Sequence, residues 1–119
     1  MKYCNNFEYD LKLGQIKEKE LGELLNYKTI EVKTDLQASE TGSVFVEYES
    51  RGKPSGISKS KSDYYCFVIS KDSFIFIKTE RLKIKCRKFL KTNLDRKGGD
   101  NNTSKGILLP ILQLLINIE

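Results

Sequence analysis

The sequence contains no histidine and no tryptophan, and its 119 residues include only two prolines and three cysteines. Without histidine, a hydrolytic site has no imidazole to act as general base, so any hydrolysis must activate water in another way. Cys4, Cys66 and Cys86 lie far apart and form no C-x-x-C pair, which argues against a zinc site or a redox couple. A reducing cytoplasm fits this cysteine usage.

Long apolar runs are also missing. The longest, over residues 107–118, is shorter than the roughly 20 helical residues that cross a bilayer. Pro110 and Gln113 interrupt it, so we predict that it belongs to the core. Charged residues such as Lys2 precede any apolar stretch at the start, so neither a signal peptide nor a membrane anchor is expected. We therefore expect a cytoplasmic protein without a membrane partner, located in the host-cell cytoplasm if the gene is viral.

Positive charge is the feature present in excess. The chain carries 21 lysine and arginine residues against 16 aspartate and glutamate residues, a formal net charge of +5 at pH 7. Such an excess attracts polyanions, because neutralised phosphates release their counterions, although it does not single out nucleic acid. A chain of 119 residues suffices for one hydrophobic core, so we predict a single domain over residues 1–119.

Hydrophobic periodicity in the first half of the chain predicts one helix and two strands. Apolar residues at helical spacing predict a helix over residues 13–26, with Glu20 inside its apolar stripe. Alternation predicts strands over residues 29–35 and 43–49, the first with Ile30 and Val32 on its apolar side. Two glycines and a proline predict a turn over residues 51–56.

The second half of the chain predicts further helices and a strand. A helix is favoured over residues 63–69, with a strand as the alternative. Residues 74–78 are predicted to form a strand, and residues 92–105 a loop. A basic helix is predicted to begin at Thr79. The residues expected on its buried side are Leu82, Cys86, Phe89 and Leu90.

The first two predicted strands carry charges at alternate positions. Glu31, Lys33 and Asp35 should share one face, roughly 7 Å apart, as should Glu47 and Glu49 on the second strand. If the strands lie side by side, the carboxylates gather and repel one another unless a cation lies between them. An all-oxygen site suits Mg²⁺ or Mn²⁺, whose bound water would be the nucleophile. The alternative is an ordinary solvated edge strand, whose charges prevent aggregation.

Several stretches resemble small phage-type nucleases of the PD-(D/E)XK superfamily. The main ones are Glu31-Val32-Lys33-Thr34-Asp35, residues 40–47 and Gly52-Lys53-Pro54-Ser55-Gly56-Ile57. Further matches are Tyr9-Asp10-Leu11, Gly14-Gln15-x-x-Glu18, Asp63-Tyr64-Tyr65 and Gly98-Gly99-Asp100-Asn101. The resemblance implies an α/β (α+β) fold with a restriction-endonuclease-like core, in which helices flank a mixed β-sheet. It also implies an acidic site at the edge of that sheet and a metal-dependent DNA endonuclease or Holliday junction resolvase.

The resemblance leaves two assignments of the acidic motif open. In one, Glu31-x-Lys33 is the paired motif, but the acidic residue expected before it has no obvious strand. In the other, Asp35 is the first acid and Glu47-x-Glu49 the paired motif, with a lysine from elsewhere as the cation. The implied catalytic residues are Glu18, Glu31, Lys33, Asp35, Glu47 and Glu49, and the implied metal ligands are Asp35, Glu47, Glu31 and Glu18.

The glutamate implied for the first helix is also ambiguous. Glu18 matches the position that the resemblance implies. The periodicity of the helix instead favours Glu20, which falls within the apolar stripe, where an unpaired carboxylate would be unfavourable. In the second assignment of the acidic motif, Lys33 or Lys53 would supply the cation.

Basic residues after the second strand are candidate DNA contacts, because lysine and arginine next to a metal site can hold backbone phosphates. The candidate DNA-binding residues are Arg51, Lys53, Ser55, Lys59 and Lys61. The loop lacks the Walker A pattern, so no nucleotide cofactor is expected. The leading hypothesis is therefore Mg²⁺-dependent (or Mn²⁺-dependent) hydrolysis of DNA, with branched DNA as a candidate substrate and a homodimer where two strands are cut. The alternative is a non-catalytic basic nucleic-acid-binding module or an accessory subunit.

Overall fold

The computed structural model describes residues 3–116, with side chains from Glu8 onward except that of Asp100. Its elements are α1 (Tyr3–Tyr27), β1 (Ile30–Thr34), α2 (Ala38–Thr41), β2 (Ser43–Ser50), β3 (Lys53–Pro54), β4 (Tyr64–Ser70), β5 (Ser73–Lys78), α3 (Thr79–Arg87), β6 (Asp95–Gly98), β7 (Ser104–Pro110) and α4 (Ile111–Leu115). Short 3₁₀ turns lie at Gly56–Ser58 and Asp100–Asn102. In this part of the chain no helix combines the length and apolar character that crossing a bilayer requires.

The strands form two sheets. Sheet A is mixed and has the order β1-β4-β5, with β1 parallel to β4 and β5 antiparallel to it. Sheet B is antiparallel and has the order β3-β2-β7-β6. The predicted α+β class, with a mixed sheet flanked by helices, is thus confirmed.

The prediction of a helix over residues 63–69 is wrong, because residues 64–70 form the strand β4. Tyr65, Cys66 and Phe67 are all buried, so both faces of this strand are covered. A strand that occupies the centre of a sheet reads as a continuous apolar run without alternation, which is why periodicity could not distinguish it from a helix. Its aromatic and β-branched residues were the signal in favour of a strand.

The loop predicted over residues 92–105 contains β6 and the first residues of β7. β6 is a short edge strand with the polar sequence Asp-Arg-Lys-Gly, so it shows no apolar alternation from which it could be predicted. The predicted turn over residues 51–56 is confirmed at its start. Arg51 and Gly52, with φ of 52° and 78°, form a two-residue connection between β2 and β3 of the type that matches the twist of a hairpin.

The core lies between the two sheets and is closed by α3 and α4. Of the predicted buried side of α3, Leu82 and Cys86 are buried, Phe89 is half-buried and Leu90 is exposed. The apolar segment near the end contributes Ile107, Leu109 and Leu114 to the same core, as predicted. Burial raises the pKa of the Cys86 thiol to about 12, so this cysteine is a protonated core residue at neutral pH.

Hydrogen bonds between Thr29 and Asp63 connect the start of β1 to the start of β4. The backbone N–H and the hydroxyl of Thr29 donate to Oδ2 of Asp63, at 2.9 and 3.0 Å. The backbone N–H of Asp63 donates in turn to the carbonyl of Thr29, at 3.0 Å. The backbone hydrogen bond from Thr29, followed by the one from its hydroxyl, lowers the pKa of the Asp63 carboxyl.

We expect Asp63→Asn to lower the melting temperature at neutral pH and to flatten its fall in acid. Because the folded-state pKa of Asp63 is depressed, its contribution to stability is present above the unfolded pKa of about 3.9 and is lost as the pH falls through the lower folded value. Thermal unfolding from about pH 7 to about pH 2 measures both effects. Asp72→Asn, at the exposed β4–β5 turn, is the matched control. Parallel melting curves for Asp63→Asn and wild type would contradict the expectation.

Candidate functional site

β1 carries its charged residues on the same face of sheet A as two core residues of β4. In the parallel pairing with β4, Glu31 lies beside Tyr65 and Lys33 beside Phe67, and paired residues of neighbouring strands share a face. Tyr65 and Phe67 are 2% and 1% exposed, so this is the core-facing side of sheet A. Val32 points the other way and is 57% exposed. The expected burial of Val32 is therefore wrong, and the partly exposed Glu31 and Lys33 lie on the core-facing side instead.

Lys33 of β1 and Glu47 of β2 line one pocket between the two sheets. The pocket has a volume of about 200 Å³. Its lining residues are Lys33, Phe45, Val46, Glu47, Gly56, Tyr65 and Phe67. The Lys33 ammonium lies 3.9 Å from a carboxylate oxygen of Glu31. The two charged strands do not lie side by side as expected, because β1 belongs to sheet A and β2 to sheet B. Lys33 and Glu47 nevertheless line the same pocket from the two sheets.

The β2–β3 hairpin holds Glu47 in place. The Ser55 hydroxyl donates to Oε2 of Glu47 at 2.8 Å. Gly56 packs directly on the backbone of Glu47, where an added Cβ would lie 2.3 Å from its carbonyl oxygen. Ser55, which was a candidate DNA contact, thus orients the carboxylate of Glu47 in this structure. The signal in the sequence was the two-residue turn, which folds residues 53–55 back beside residues 47–50.

Tyr65 is a residue of the pocket that was not among the predicted site residues. Its hydroxyl is buried and has no hydrogen-bond partner among the described residues. Burial raises the pKa of Tyr65, and the carboxylates of Glu31 and Glu47 raise it further. Ser60 is close enough to oppose this rise, but its geometry with the Tyr65 hydroxyl is not that of a hydrogen bond. The hydroxyl therefore remains available as a donor beside the two carboxylates.

Removing the Tyr65 hydroxyl should not destabilise the fold. We expect Tyr65→Phe to leave the free energy of unfolding unchanged or to raise it by up to about 1 kcal/mol, because an unsatisfied buried hydroxyl is unfavourable. Tyr48→Phe is the matched comparison, since the Tyr48 hydroxyl donates to Oδ1 of Asp95 at 2.6 Å. Losing that bond should cost about 1–2 kcal/mol. Urea unfolding measures both variants, and an equal loss in the two would contradict the assignment.

Asp35 and Glu49 take different positions from those expected. Asp35 follows β1 directly and is half-buried, and its backbone N–H donates to the carbonyl of Val68 at 2.9 Å. Glu49 lies beyond an irregularity in the pairing of β2 with β7, and its carboxylate is 3.7 Å from the ammonium of Lys105. Of the two acidic residues of β2, only Glu47 lines the pocket between the sheets.

The structure does not bring a glutamate of α1 to this pocket. Glu20 lies 3.3 Å from the ammonium of Lys17 and 4.0 Å from that of Lys78. Lys78 pairs in register with Tyr64, whose side chain is on the opposite face of sheet A from Tyr65. Glu18 is exposed on α1 and lines none of the three main pockets of the described chain.

The four basic candidates for DNA contact, Arg51, Lys53, Lys59 and Lys61, are all exposed. Lys61 lines a larger groove, of about 570 Å³, that it shares with three other lysines and with three serine or threonine side chains. These residues are Lys28, Lys78, Lys83, Ser60, Ser62 and Thr79. The groove also contains Glu20, Asp63 and Glu80, so its charge is mixed.

Within residues 3–116, no group of three or more aspartate, glutamate or cysteine side chains is placed to hold a metal ion. A pair of carboxylates nevertheless fits Mg²⁺, which is usually bound through one or two carboxylates, several waters and the phosphates of the substrate. Glu47 lines the pocket, and Glu31 lies 3.9 Å from the ammonium of Lys33, which lines it as well.

The chain matches no protein-family model, no curated protein and no solved structure. The restriction-endonuclease-like core and the membership of the PD-(D/E)XK superfamily therefore stay predictions.

Proposed function

We propose that this protein is a metal-dependent endonuclease that hydrolyses phosphodiester bonds of DNA at the pocket lined by Lys33 and Glu47. The observation that supports this most is the orientation of β1. Placing charged groups against the buried Tyr65, while the apolar Val32 faces solvent, is unfavourable for folding because it partly desolvates the charges. Local departures from the expected pattern of burial are concentrated at functional sites.

The residues of the pocket have distinct roles in this proposal. Glu47 and Glu31 would hold Mg²⁺ or Mn²⁺, which when bound supplies a Lewis acid and lowers the pKa of a coordinated water. The Lys33 ammonium offsets the negative charge that develops on the phosphate oxygens. The Ser55 hydroxyl, at 2.8 Å, keeps the Glu47 carboxylate directed into the pocket.

The surface around the pocket supports a polyanionic substrate. The net charge of +5 raises the local concentration of nucleic acid through its phosphates, without selecting a sequence. Arg51 and Lys53 lie at the tip of the same hairpin that carries Ser55 and Gly56, so they are near enough along the chain to hold phosphates beside the pocket. We propose DNA as the substrate, with branched DNA such as a four-way junction among the forms to be tested.

The experiment is a cleavage assay with labelled linear, flapped and four-way-junction DNA in Mg²⁺, in Mn²⁺ and in chelator. Cutting with either metal and none in chelator is the expected result, and the preferred DNA form distinguishes a general endonuclease from a junction resolvase. No cutting of any form with either metal would overturn the proposal.

A second candidate is a nucleic-acid-binding module without catalysis, which the lysine-lined groove beside Lys61 favours. Such a module binds DNA with an affinity that falls steeply with salt and does not change when metal is removed. Binding measured at several salt concentrations, with and without chelator, therefore separates the two functions in the same preparations.

A further inference from the structure

β5 is an edge strand with one open side. It pairs with β4 along its other side, and sheet A ends there. Among the described residues, the backbone N–H and C=O groups on the open side have no strand partner. The sequence Ser-Phe-Ile-Phe-Ile-Lys is rich in residues that favour strands and has a single charge. An edge of this kind is a template for pairing with another strand.

The face of sheet A that lies against α1 is only partly covered. At one end of the strands, Lys78 contacts Glu20 of α1. On the same face, Val32 in the middle of β1 is 57% exposed and Phe74 near the other end of β5 is 62% exposed, whereas Cys66 of β4 between them is buried. Exposed apolar residues on the two outer strands of one face indicate that a covering layer is missing there.

α1 crosses the strands of sheet A instead of running along them. Two residues separate its last residue, Tyr27, from the start of β1. Glu20, in contrast, contacts Lys78 of β5 at the opposite edge of the sheet. From β1 to β5 is about 10 Å at the usual strand spacing. The seven residues from Tyr27 back to Glu20 rise by about 10 Å. The helix therefore reaches the edge of the sheet at Glu20, and the residues before it extend beyond β5.

The extending part of α1 has an apolar stripe with nothing to pack on. Tyr9, Leu13 and Ile16 continue the stripe of the buried Leu24, yet they are 65%, 40% and 51% exposed. A helical segment of this length without tertiary contacts is only marginally stable in water. From Glu20 back to Tyr9 the helix rises by about 16 Å, which is close to the width of three further strands.

We propose that two copies of this chain form a symmetric dimer, in which the two β5 strands pair antiparallel and each α1 lies across sheet A of the other copy. The combined sheet has the order β1-β4-β5-β5-β4-β1. When the rise of the helix per residue is compared with the spacing between strands, Ile16 lies over β5 of the second copy, Leu13 over its β4 and Tyr9 over its β1. Such a two-fold contact uses the same surface on both chains.

The antiparallel pairing of the two β5 strands explains why sheet A is exposed at its Phe74 end in the single chain. Pairing two β5 strands in opposite directions places the Lys78 end of one beside the Ser73 end of the other. Each extending helix then lies over the end of the second sheet that carries Phe74, which that copy's own helix does not cover. The exposed helix stripe, the exposed sheet face and the open strand edge are thus all covered by one symmetric contact.

A second copy fits better than an unrelated protein, because the uncovered helix and the uncovered sheet face match in width and belong to the same chain. The exposed parts of Tyr9 and Phe74 together come to about 250 Å², taking roughly 200 Å² for a whole aromatic side chain. That is close to a third of the roughly 800 Å² that each partner buries in a stable interface. Leu13, Ile16 and Val32 lie in the same contact.

The test is the mass of the full chain in solution, measured by sedimentation equilibrium. Wild type is expected at twice the single-chain mass of 13.7 kDa. Ile16→Asp and Phe74→Asp are each expected at the single-chain mass, because a charge on either side of the contact would be buried without a partner. Both side chains are more than half exposed in the single chain, so the fold should persist, which far-ultraviolet circular dichroism checks. Gln15→Asp, on an exposed neighbouring position outside the stripe, should stay dimeric.

Hydrogen exchange provides a second measurement that locates the contact. The β5 amides should exchange slowly in wild type and markedly faster in Ile16→Asp, even though position 16 lies on α1 and not on β5. A wild-type chain at the single-chain mass at every concentration would overturn the proposal. So would a dimer that survives both Ile16→Asp and Phe74→Asp, or β5 amides that exchange equally in wild type and Ile16→Asp.

Discussion

Replacing Glu47 with glutamine should reduce metal-dependent DNA cleavage by more than about 100-fold while leaving the fold intact. Removing a group that merely orients a metal ligand costs roughly 10- to 100-fold, so losing the charge of the ligand itself should cost more. Glutamine keeps the size of the side chain and an oxygen that can accept the hydrogen bond from the Ser55 hydroxyl, so the pocket should keep its shape. The measurement is the single-turnover cleavage rate in Mg²⁺ and in Mn²⁺.

The matched control is Glu49→Gln, two residues further along the same strand. Glu49 is 3.7 Å from Lys105 and does not line the pocket, so its variant should keep most of the activity. Ser55→Ala should fall between the two, at roughly a 10- to 100-fold loss, because it releases Glu47 without removing it. Cleavage by Glu47→Gln at the wild-type rate would exclude this pocket as the site. Equal losses in Glu47→Gln and Glu49→Gln would instead favour the motif in which both glutamates act.

Gly56→Ala should destabilise the protein by about 2–5 kcal/mol and should also impair cleavage. Two effects add at this position. A non-glycine residue at the φ of 52° costs roughly 1–2 kcal/mol. In addition, the new Cβ would lie 2.3 Å from the carbonyl oxygen of Glu47, so the backbone must shift, which costs roughly 1–3 kcal/mol more. Because that backbone carries the Glu47 side chain, the shift should also move the carboxylate.

Gly52→Ala separates these two effects. Gly52 has a φ of 78°, but an added Cβ there would meet no atom within 4 Å. Its variant should therefore lose only the roughly 1–2 kcal/mol of the strained conformation and keep its cleavage rate. Chemical denaturation gives the free energies of unfolding, and the difference between the two variants isolates the contact with Glu47. Equal losses of stability and full activity in both would contradict the packing of Gly56 on Glu47.

Part of the candidate site could be predicted from the sequence, because it depends on local geometry. The alternation around Glu31 and Lys33 requires that the two side chains share a face of a strand. The turn at Arg51 and Gly52 requires that the residues following it fold back along β2. Glu47 was accordingly among the predicted ligands, although the hydrogen bond that it accepts from Ser55 was not predicted.

Other parts depend on contacts between residues that are distant in the chain. Tyr65 enters the site because β4 pairs with β1 in the register that sets it beside Glu31, 34 positions away in sequence. Helical periodicity favoured Glu20 as the glutamate that α1 contributes to the site. Glu20 lies instead near Lys78 on the outer face of sheet A, because α1 crosses the side of the sheet away from the pocket.

The sequence by itself determined the short-range features: the strand periodicity of β1 and β2, the hairpin turn, the apolar stripe of α1 and the excess of positive charge. Each follows from the spacing of residues along the chain, which the backbone converts directly into a shared face or a turn. Only the tertiary structure decided which face of β1 is turned inward, since alternation is the same for both faces. The position of charged Glu31 and Lys33, rather than Val32, on the core-facing side of sheet A comes from the pairing with β4 and the position of sheet B, and no local pattern encodes either.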